Sequence, residues 1–389
     1  MSARGRPAGV RAAVALAMRH PLCSVVFPLL LVLPAAPGTV RSRAETLAMQ
    51  RAYTEAERRC TRTGLTLLLF DGGSRSSGGD TSVSRARASA EAVRFERGLR
   101  RRGEAGGGGR LLPRSGGLVA NLSNASLELA LRSLSVVSAE PDCMVYLPSH
   151  EAPVRVERRG EARRRRLGVQ SAPPSWGLDR IDDRTLPLDS TYDYGGYTGA
   201  GVRVYVLDTG VRTSHEEFGG RTDTGYTPAC PTGGEAACGS NWFVNGVVDA
   251  SCHPHGTHCA GTVAGVSAGV AKEATIVPVM VLGCDGSGST GYVIAGVEWA
   301  IADLAAHPGT RGVISMSLGG GGYSPAYDAA IRAAHDAGIP AVAAAGNDGI
   351  DQCDASPLTE PKSIVVGASD SSDARVYNFG ACVDVFAPG

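Results

Sequence analysis

The chain reads as an α/β protein: a mainly parallel sheet with helices on both faces, preceded by a small α+β domain. Three observations carry this expectation. From residue 201 onward, short apolar runs alternate with longer segments whose apolar residues recur at helical spacing. The short runs are apolar almost throughout and do not alternate with polar residues, which is the pattern of strands covered on both faces. Ahead of them, residues 46–148 mix Leu-rich strand-like runs with helical stretches, enough for a small βαβ-type unit. A chain of 389 residues can build a full-size core and a smaller second domain.

Residues 1–45 read as a targeting segment. Arg4, Arg6, Arg11 and Arg19 precede an apolar stretch at 22–33, broken only by Ser24 and Pro28, and Ala35 and Ala36 follow. This is the order of a secretory signal peptide, with a transit peptide or a signal anchor as alternatives. The apolar stretch is too short to span a bilayer by itself. In 46–148 a helical stretch leads to a strand at 65–70, and further strands are expected at 118–122 and 136–146, with a helix at 126–133. Residues 71–87 and 103–109 are rich in Gly, Ser and Arg and read as loops or disorder. Asn121-Leu122-Ser123 and Asn124-Ala125-Ser126 are glycosylation sequons. Residues 149–172 form an Arg-rich linker in which Arg158, Arg159 and the run 163–166 make a solvated, cleavable stretch. Residues 173–389 carry the alternation, with strands at 202–207, 276–282, 312–318, 340–345 and 364–367, and helices at 290–306 and 324–337.

The formal charge of zero hides an asymmetry. Residues 1–170 hold 28 Arg against 14 Asp and Glu, whereas 171–389 hold 10 Lys and Arg against 24 Asp and Glu. Two electrostatically complementary units would give this balance, and so would a bias toward Arg over Lys. Seven of the ten Cys lie after residue 229, a usage that points to an oxidising destination and an odd number that leaves at least one unpaired within that unit.

In a parallel sheet, function sits at the carboxyl ends of the strands, and Asp208, Ser317 and Asn347 fall at or just past such ends. The run 202–207 ends in Asp208-Thr209-Gly210, and further on His255-Gly256-Thr257-His258 opens a Gly-rich helix. A His takes a proton from a Ser hydroxyl while an Asp fixes its tautomer and stabilises the imidazolium. The order Asp before His is that of subtilisin. Two other readings compete. Asp208 and Asp223 each open an Asp-Thr-Gly, as in an aspartic peptidase, but they lie too close in sequence for two lobes, and the second follows no apolar strand and reads as a turn. His253, His255 and His258, flanked by Cys252 and Cys259, also have the density of a zinc site.

Residues 173–389 resemble the subtilisin-type serine peptidases, most of all their proteinase K branch. The resemblance rests on Pro174-Ser175-Trp176-Gly177-Leu178-Asp179-Arg180-Ile181, on the Asp208 and His255 segments, on Ala345-Gly346-Asn347-Asp348-Gly349 and on Ser315-Met316-Ser317-Leu318-Gly319-Gly320. It implies a subtilisin-like fold, with Asp208 and His255 as triad members and Asn347 as the oxyanion donor. Ser317, Leu318 and Gly319 would line the primary pocket, and Gly286, Ser287 and Gly288 would form the edge that pairs with an extended peptide. It further implies that 46–148 is an inhibitory propeptide that chaperones folding, and that the maturation cut follows Gln170 or falls in the Arg run. By the same resemblance Cys252 pairs with Cys284 and Cys353 with Cys382, leaving Cys259 as a free thiol; Cys230 and Cys238 would close a local loop. Asp384 with the carbonyls of Pro361 and Ser363 would bind a structural Ca2+. The expected partners are polypeptide substrates and the chain's own propeptide, in a secretory compartment, with neither nucleic acid nor stable membrane insertion. The sequence stops at Gly389 ahead of any Gly-Thr-Ser-Met segment, so the expectation is a serine endopeptidase zymogen whose nucleophile is absent from the chain as written. A non-catalytic fragment that keeps the cleft is the competing class. Without the nucleophile helix the chain is expected to expose an apolar sheet face and to be poorly soluble.

Overall fold

The first helix, α1 (Arg43–Arg59), starts where Ser42 and Glu45 form a capping box: the Ser42 hydroxyl accepts the Glu45 N–H and the Glu45 carboxylate accepts the Ser42 N–H. The computed structural model describes residues 40–71, 81–101, 110–147, 168–228, 244–245 and 253–389, with backbone alone at 81–85 and 244–245. Residues 1–39 of the expected leader, the Arg run and Cys230, Cys238 and Cys252 lie outside the described residues, whereas residues 40–45, also assigned to the leader, lead into and open α1.

Along the front unit follow β1 (Arg62–Phe70), α2 (Thr81–Arg101), β2 (Arg110–Leu112), β3 (Gly117–Ala120), α3 (Asn124–Arg132) and β4 (Val136–Tyr146). The strands pair in the order β4-β1-β3-β2, every pair antiparallel. Strands β3 and β4, joined through α3, therefore run in the same direction with β1 between them, so the βαβ-type expectation takes its split form. The reason lies in β1, whose neighbouring residues face opposite ways. Leu68 and Phe70 pack with Met49, Ala88, Ala92, Leu99 and Leu131 beneath the helices, while Leu67, with Val119 and Val145, joins the core of the back unit. A central strand covered on both faces needs a partner on each edge, and β3 and β4 supply them. Helix α2 begins inside the stretch 71–87 that composition marks as a loop. Ala88, Ala92 and Leu99 give it a buried stripe that Gly, Ser and Arg upstream conceal.

The back unit contains β5 (Val169–Ser171), α4 (Trp176–Asp182), β6 (Thr191–Asp193), β7 (Val202–Asp208), β8 (Tyr226–Thr227), β9 (Val244–Asn245), α5 (His255–Ala264), β10 (Thr275–Met280), β11 (Ser287–Ser289), α6 (Thr290–Ala305), β12 (Arg311–Met316), β13 (Gly319–Gly320), α7 (Pro325–Asp336), β14 (Ala341–Ala344), β15 (Ser363–Ser369), β16 (Arg375–Val376) and β17 (Val385–Pro388). Its main sheet runs β16-β15-β14-β12-β7-β10-β8-β9, with β17 also on β15. The central pairs are parallel, and antiparallel pairing appears only at β8–β9 and β15–β16. Strand β7 shows how the faces are divided. Val204 and Val206 pack with Ala260 and Ala264 of α5, whereas Tyr205 and Leu207 pack with Val293, Ile294 and Ile331 of α6 and α7. The mainly parallel sheet with helices on both faces is therefore the observed fold. Strand β5 pairs with β6, so residues 169–171 belong to the body although they fall in the stretch expected to be linker.

Cys353 and Cys382 form the expected disulfide, with 5.5 Å between Cα atoms across 29 residues, and Cys259 is free. Cys284 is also disulfide-bonded. A further bridge, Cys60–Cys143, spans 83 residues of the front unit. Cys353→Ser with Cys382→Ser is expected to lower unfolding stability by about 3–4 kcal/mol, the loop entropy released to the unfolded chain. Urea titration of both proteins measures it.

Candidate active site

Asp208 ends β7, between β10 and β12, where its partners in register are Met280 and, one residue earlier, Met316. Its carbonyl accepts the N–H groups of Val281 and Leu282 at 2.9 and 3.1 Å, so the strand end is held by the residues that follow β10. Gly210, at φ +86°, then turns the chain away. Thr209 ties this turn to the start of α5: its hydroxyl accepts the Gly256 N–H at 3.1 Å. At the same helix end the His253 ring accepts the His255 N–H at 3.2 Å.

These contacts place the His255 Nδ1 2.7 Å from Asp208 Oδ1, with both side chains buried. A carboxylate at this distance accepts, so Nδ1 is the donor, and in the neutral ring that tautomer leaves Nε2 as the acceptor. Gly256 permits the approach. A Cβ there would lie 2.2 Å from the Gly210 carbonyl and 3.0 Å from Asp208 Oδ1. Gly256→Ala is therefore expected to cost about 1–3 kcal/mol as an overpacked contact and to part His255 from Asp208; a low-field Nδ1 proton present in the parent and lost in the variant is the NMR readout.

The Cys259 thiol lies 3.8 Å from His255 Nδ1 and 4.0 Å from Nε2. Burial pushes its pKa up, although hydrogen bonds to His255 and Ser317 work the other way, so this thiol is a weak nucleophile. Asp208, His255 and Cys259 have ligand atoms within 4.8 Å of one another. The zinc reading loses its other members among the described residues, for His258 is exposed and His253 already serves the helix end. The aspartic reading also fails geometrically: Asp223 pairs with Arg203 at 2.7 Å, which holds its carboxyl below the usual range.

Two glycine-rich edges flank a channel near Ser317, and β4 of the front unit lies in it. Strand β11 pairs antiparallel with β4 through Ser287↔Tyr146, Gly288↔Val145 and Ser289↔Met144. On the other side β13 pairs through Gly319↔Tyr146 and Gly320↔Val145. The Leu147 N–H donates to the Gly286 carbonyl at 3.0 Å. Gly286, Ser287, Gly288 and Gly319 thus meet the same extended strand, Ser317 is a neighbour of the Cys259 thiol, and the Leu318 side chain is buried in the core below. Asn347 lies three residues past β14, half-buried. Asp384 accepts the Val365 N–H at 2.8 Å, which holds it beside the start of β15, at Ser363, two residues from Pro361.

Three buried carboxylates lock the front unit down. Glu140 accepts the Ser324 hydroxyl and the Ala326 N–H at the start of α7, at 3.1 and 3.0 Å. Asp142 accepts the Gly291 N–H at the start of α6, at 2.8 Å. From the other partner, Glu298 of α6 accepts the N–H groups of Arg114 and Ser115 and the Ser115 hydroxyl. Carboxylates suit helix N-termini, yet burial raises all three, Glu140 to about 8. Sequence reasoning missed these acids. A lone Glu or Asp in an apolar strand is a signal only once its burial is known. A second acidic group, Asp179, Asp183 and Asp189, gathers ligand atoms within 4.8 Å.

Residues 199–389 match the subtilase family, Peptidase_S8. These residues form a subtilase domain. Among relatives of this subtilase are an extracellular serine proteinase of Thermus sp. (strain Rt41A), 49% identical over 58% of this chain and 50% of that protein, and alkaline serine exoprotease A of Vibrio alginolyticus, 48% identical over 55% and 37%. Subtilisin-like protease 7 of Trichophyton tonsurans is 41% identical over 60% of this subtilase and 55% of its own length. The match thus spans about half the length of such relatives or less. A crystal structure of a cold adapted subtilisin-like serine proteinase is 44% identical, covering 55% of this chain and 72% of that one, with a TM-score of 0.47. No helix of the described residues is long and apolar enough to cross a membrane.

Proposed function

We propose that this subtilase is a secreted serine endopeptidase made as a zymogen, with Asp208 and His255 as the base half of an Asp-His-Ser triad. The observation that carries the reading is the buried 2.7 Å contact between His255 Nδ1 and Asp208 Oδ1 at the carboxyl end of a parallel strand. With its proton on Nδ1, His255 offers Nε2 to a seryl hydroxyl, and Asp208 stabilises the imidazolium that follows. Substrate polypeptides lie extended between β11 and β13 and are held by main-chain hydrogen bonds, which demand little of their sequence. Asn347 supplies an amide donor to the oxyanion, a role worth about 10²- to 10³-fold in kcat, the figure being that of subtilisin.

Residues 40–147 act as the inhibitor, since Met144–Leu147 occupy the strand position a substrate would take. Maturation cuts after Gln170 or in the Arg-rich stretch before it. Structural Ca2+ fits two donor sets. Asp384 with the carbonyls of Pro361 and Ser363 offers one carboxylate beside a buried, unpartnered Ser363 hydroxyl. Asp179, Asp183 and Asp189 offer three, and Asp179 Oδ1 is buried without a hydrogen-bond partner, so this set suits a hard cation better. The ion would tether α4 to the turn before β6. A fluorophosphonate probe on the native protein, with peptide mapping, tests the reading. One labelled serine beyond residue 389 supports it; labelling inside 1–389, or none, defeats it.

A further inference from the structure

Strand β4 belongs to two sheets in turn, and the Cys60–Cys143 bridge sits where it passes from one to the other. Up to Cys143 the strand pairs with β1 of its own unit, the last partners being Arg62↔Cys143, after a register shift that follows Thr66↔Pro141. From Met144 onward its strand pairing is with β11 and β13 of the subtilase domain. The bridge ties this departure point to Cys60, the residue that ends α1. Around it, the Thr290 hydroxyl donates to the Cys143 carbonyl at 3.2 Å, and the Met144 N–H donates to the Thr61 carbonyl at 2.8 Å. The rest of the front unit has contacts of its own with the subtilase domain, through Glu140, Asp142 and Glu298.

We propose that Cys60–Cys143 is a redox-cleavable site whose oxidised form holds residues 144–147 in the channel, and that a dithiol reductant opens the channel while the front unit stays docked. This rests on the reading of 40–147 as an inhibitor. Cys60 is the half-exposed partner and Cys143 the buried one, so attack falls on the Cys60 sulfur. A thiolate of the dithiol bonds to Cys60 Sγ, the Cys60–Cys143 bond breaks, and Cys143 leaves as a thiolate that takes a proton. The second thiol of the reductant then closes on the first, releasing Cys60 as a thiol. Two electrons and two protons have moved from the dithiol to the bridge. Oxidised, the bridge spares the tail the ordering that binding otherwise requires. Freeing the backbone of even one residue at the departure point is worth about tenfold in an equilibrium constant.

Hydrogen exchange on the full chain reads this directly. In the oxidised parent the amides of Met144–Leu147 and Ser287–Ser289 are protected, as are those of Arg114 and Ser115. In Cys60→Ser with Cys143→Ser, the first two sets are expected to exchange at least about tenfold faster and the last to stay unchanged. Unchanged protection of Met144–Leu147 in the double variant overturns the proposal. Absence of protection there in the oxidised parent overturns the inhibitor reading itself. Where the double variant loses its β1 and β3 amides as well, dithiothreitol on the folded parent decides, using a background in which Cys284, Cys353 and Cys382 are all replaced by Ser, so that these bridges do not respond. Loss at 144–147 with Leu67 and Val119 still protected supports the proposal, and loss of all together overturns it.

Discussion

Asp208→Asn, introduced into the nucleophile-bearing protein, is expected to lower kcat on an extended peptide substrate about 10⁴-fold, and His255→Ala about 10⁶-fold, magnitudes that are those of the subtilisin triad. The physical cause is the hydrogen bond between the two side chains. An Asn at 208 offers an amide where His255 Nδ1 now donates at 2.7 Å, so the ring loses the partner that keeps its proton on Nδ1 and its lone pair on Nε2. KM is expected to move little, because the edges that hold a peptide are main chain at Gly286–Gly288 and Gly319. Activity retained within tenfold in Asp208→Asn removes the triad reading. In the chain of 389 residues the same variant should lose the low-field Nδ1 proton without unfolding the sheet.

The second large effect is a weakening of the front unit's grip as pH rises. Glu140 is fully buried, and burial, the largest cause, lifts its carboxyl to about 8, against the pull of the Ala326 N–H and the Ser324 hydroxyl. The groups facing it are acidic or neutral: Asp142 on its own strand, Asp328, Tyr327 and Ser324 at the start of α7, and Tyr323 just before. A carboxyl raised in the folded state favours folding fully below the unfolded value near 4.3. That contribution then falls as pH rises and is gone above about 8. The slope is at most about 1.4 kcal/mol per pH unit, and Asp142, also raised by burial, adds in the same direction. Exchange protection at Arg114 and Ser115 should therefore fall from pH 5 to pH 8, and Glu140→Gln should flatten the fall. A slope identical in the variant assigns the pH dependence to another group.

The parallel sheet was legible because β7, β10, β12, β14 and β15 are apolar almost throughout, and a strand covered on both faces has no other composition available. The disposition of Asp208 and His255 was legible for a related reason. An Asp at the end of such a strand and a His opening a Gly-rich helix have few places to go. Gly256 is there because a Cβ would strike the Gly210 carbonyl, and glycine shows in the sequence as plainly as the two polar residues do. The front unit was less legible. Its helix α2 hid behind Gly, Ser and Arg, and its βαβ unit is split, with β1 inserted between β3 and β4. Nothing local to β4 told that its last residues leave one sheet for another.

Composition and motif order therefore determined the fold class and the two ends of the Asp208–His255 contact, while the Cys353–Cys382 bridge was expected only by resemblance to the subtilisin-type peptidases. The first two follow from short-range demands: burial on two faces and a turn that only glycine allows. Tertiary structure alone decided that Met144–Leu147 fill the channel, that Glu140, Asp142 and Glu298 are buried acids at one contact, and that Cys60–Cys143 marks the crossing between sheets. Those facts depend on which groups lose water together, and residues 83 to 186 positions apart meet only once the front unit has folded and closed over α6 and α7. No window of sequence contains both partners, so no window could show the cost or the gain of bringing them together.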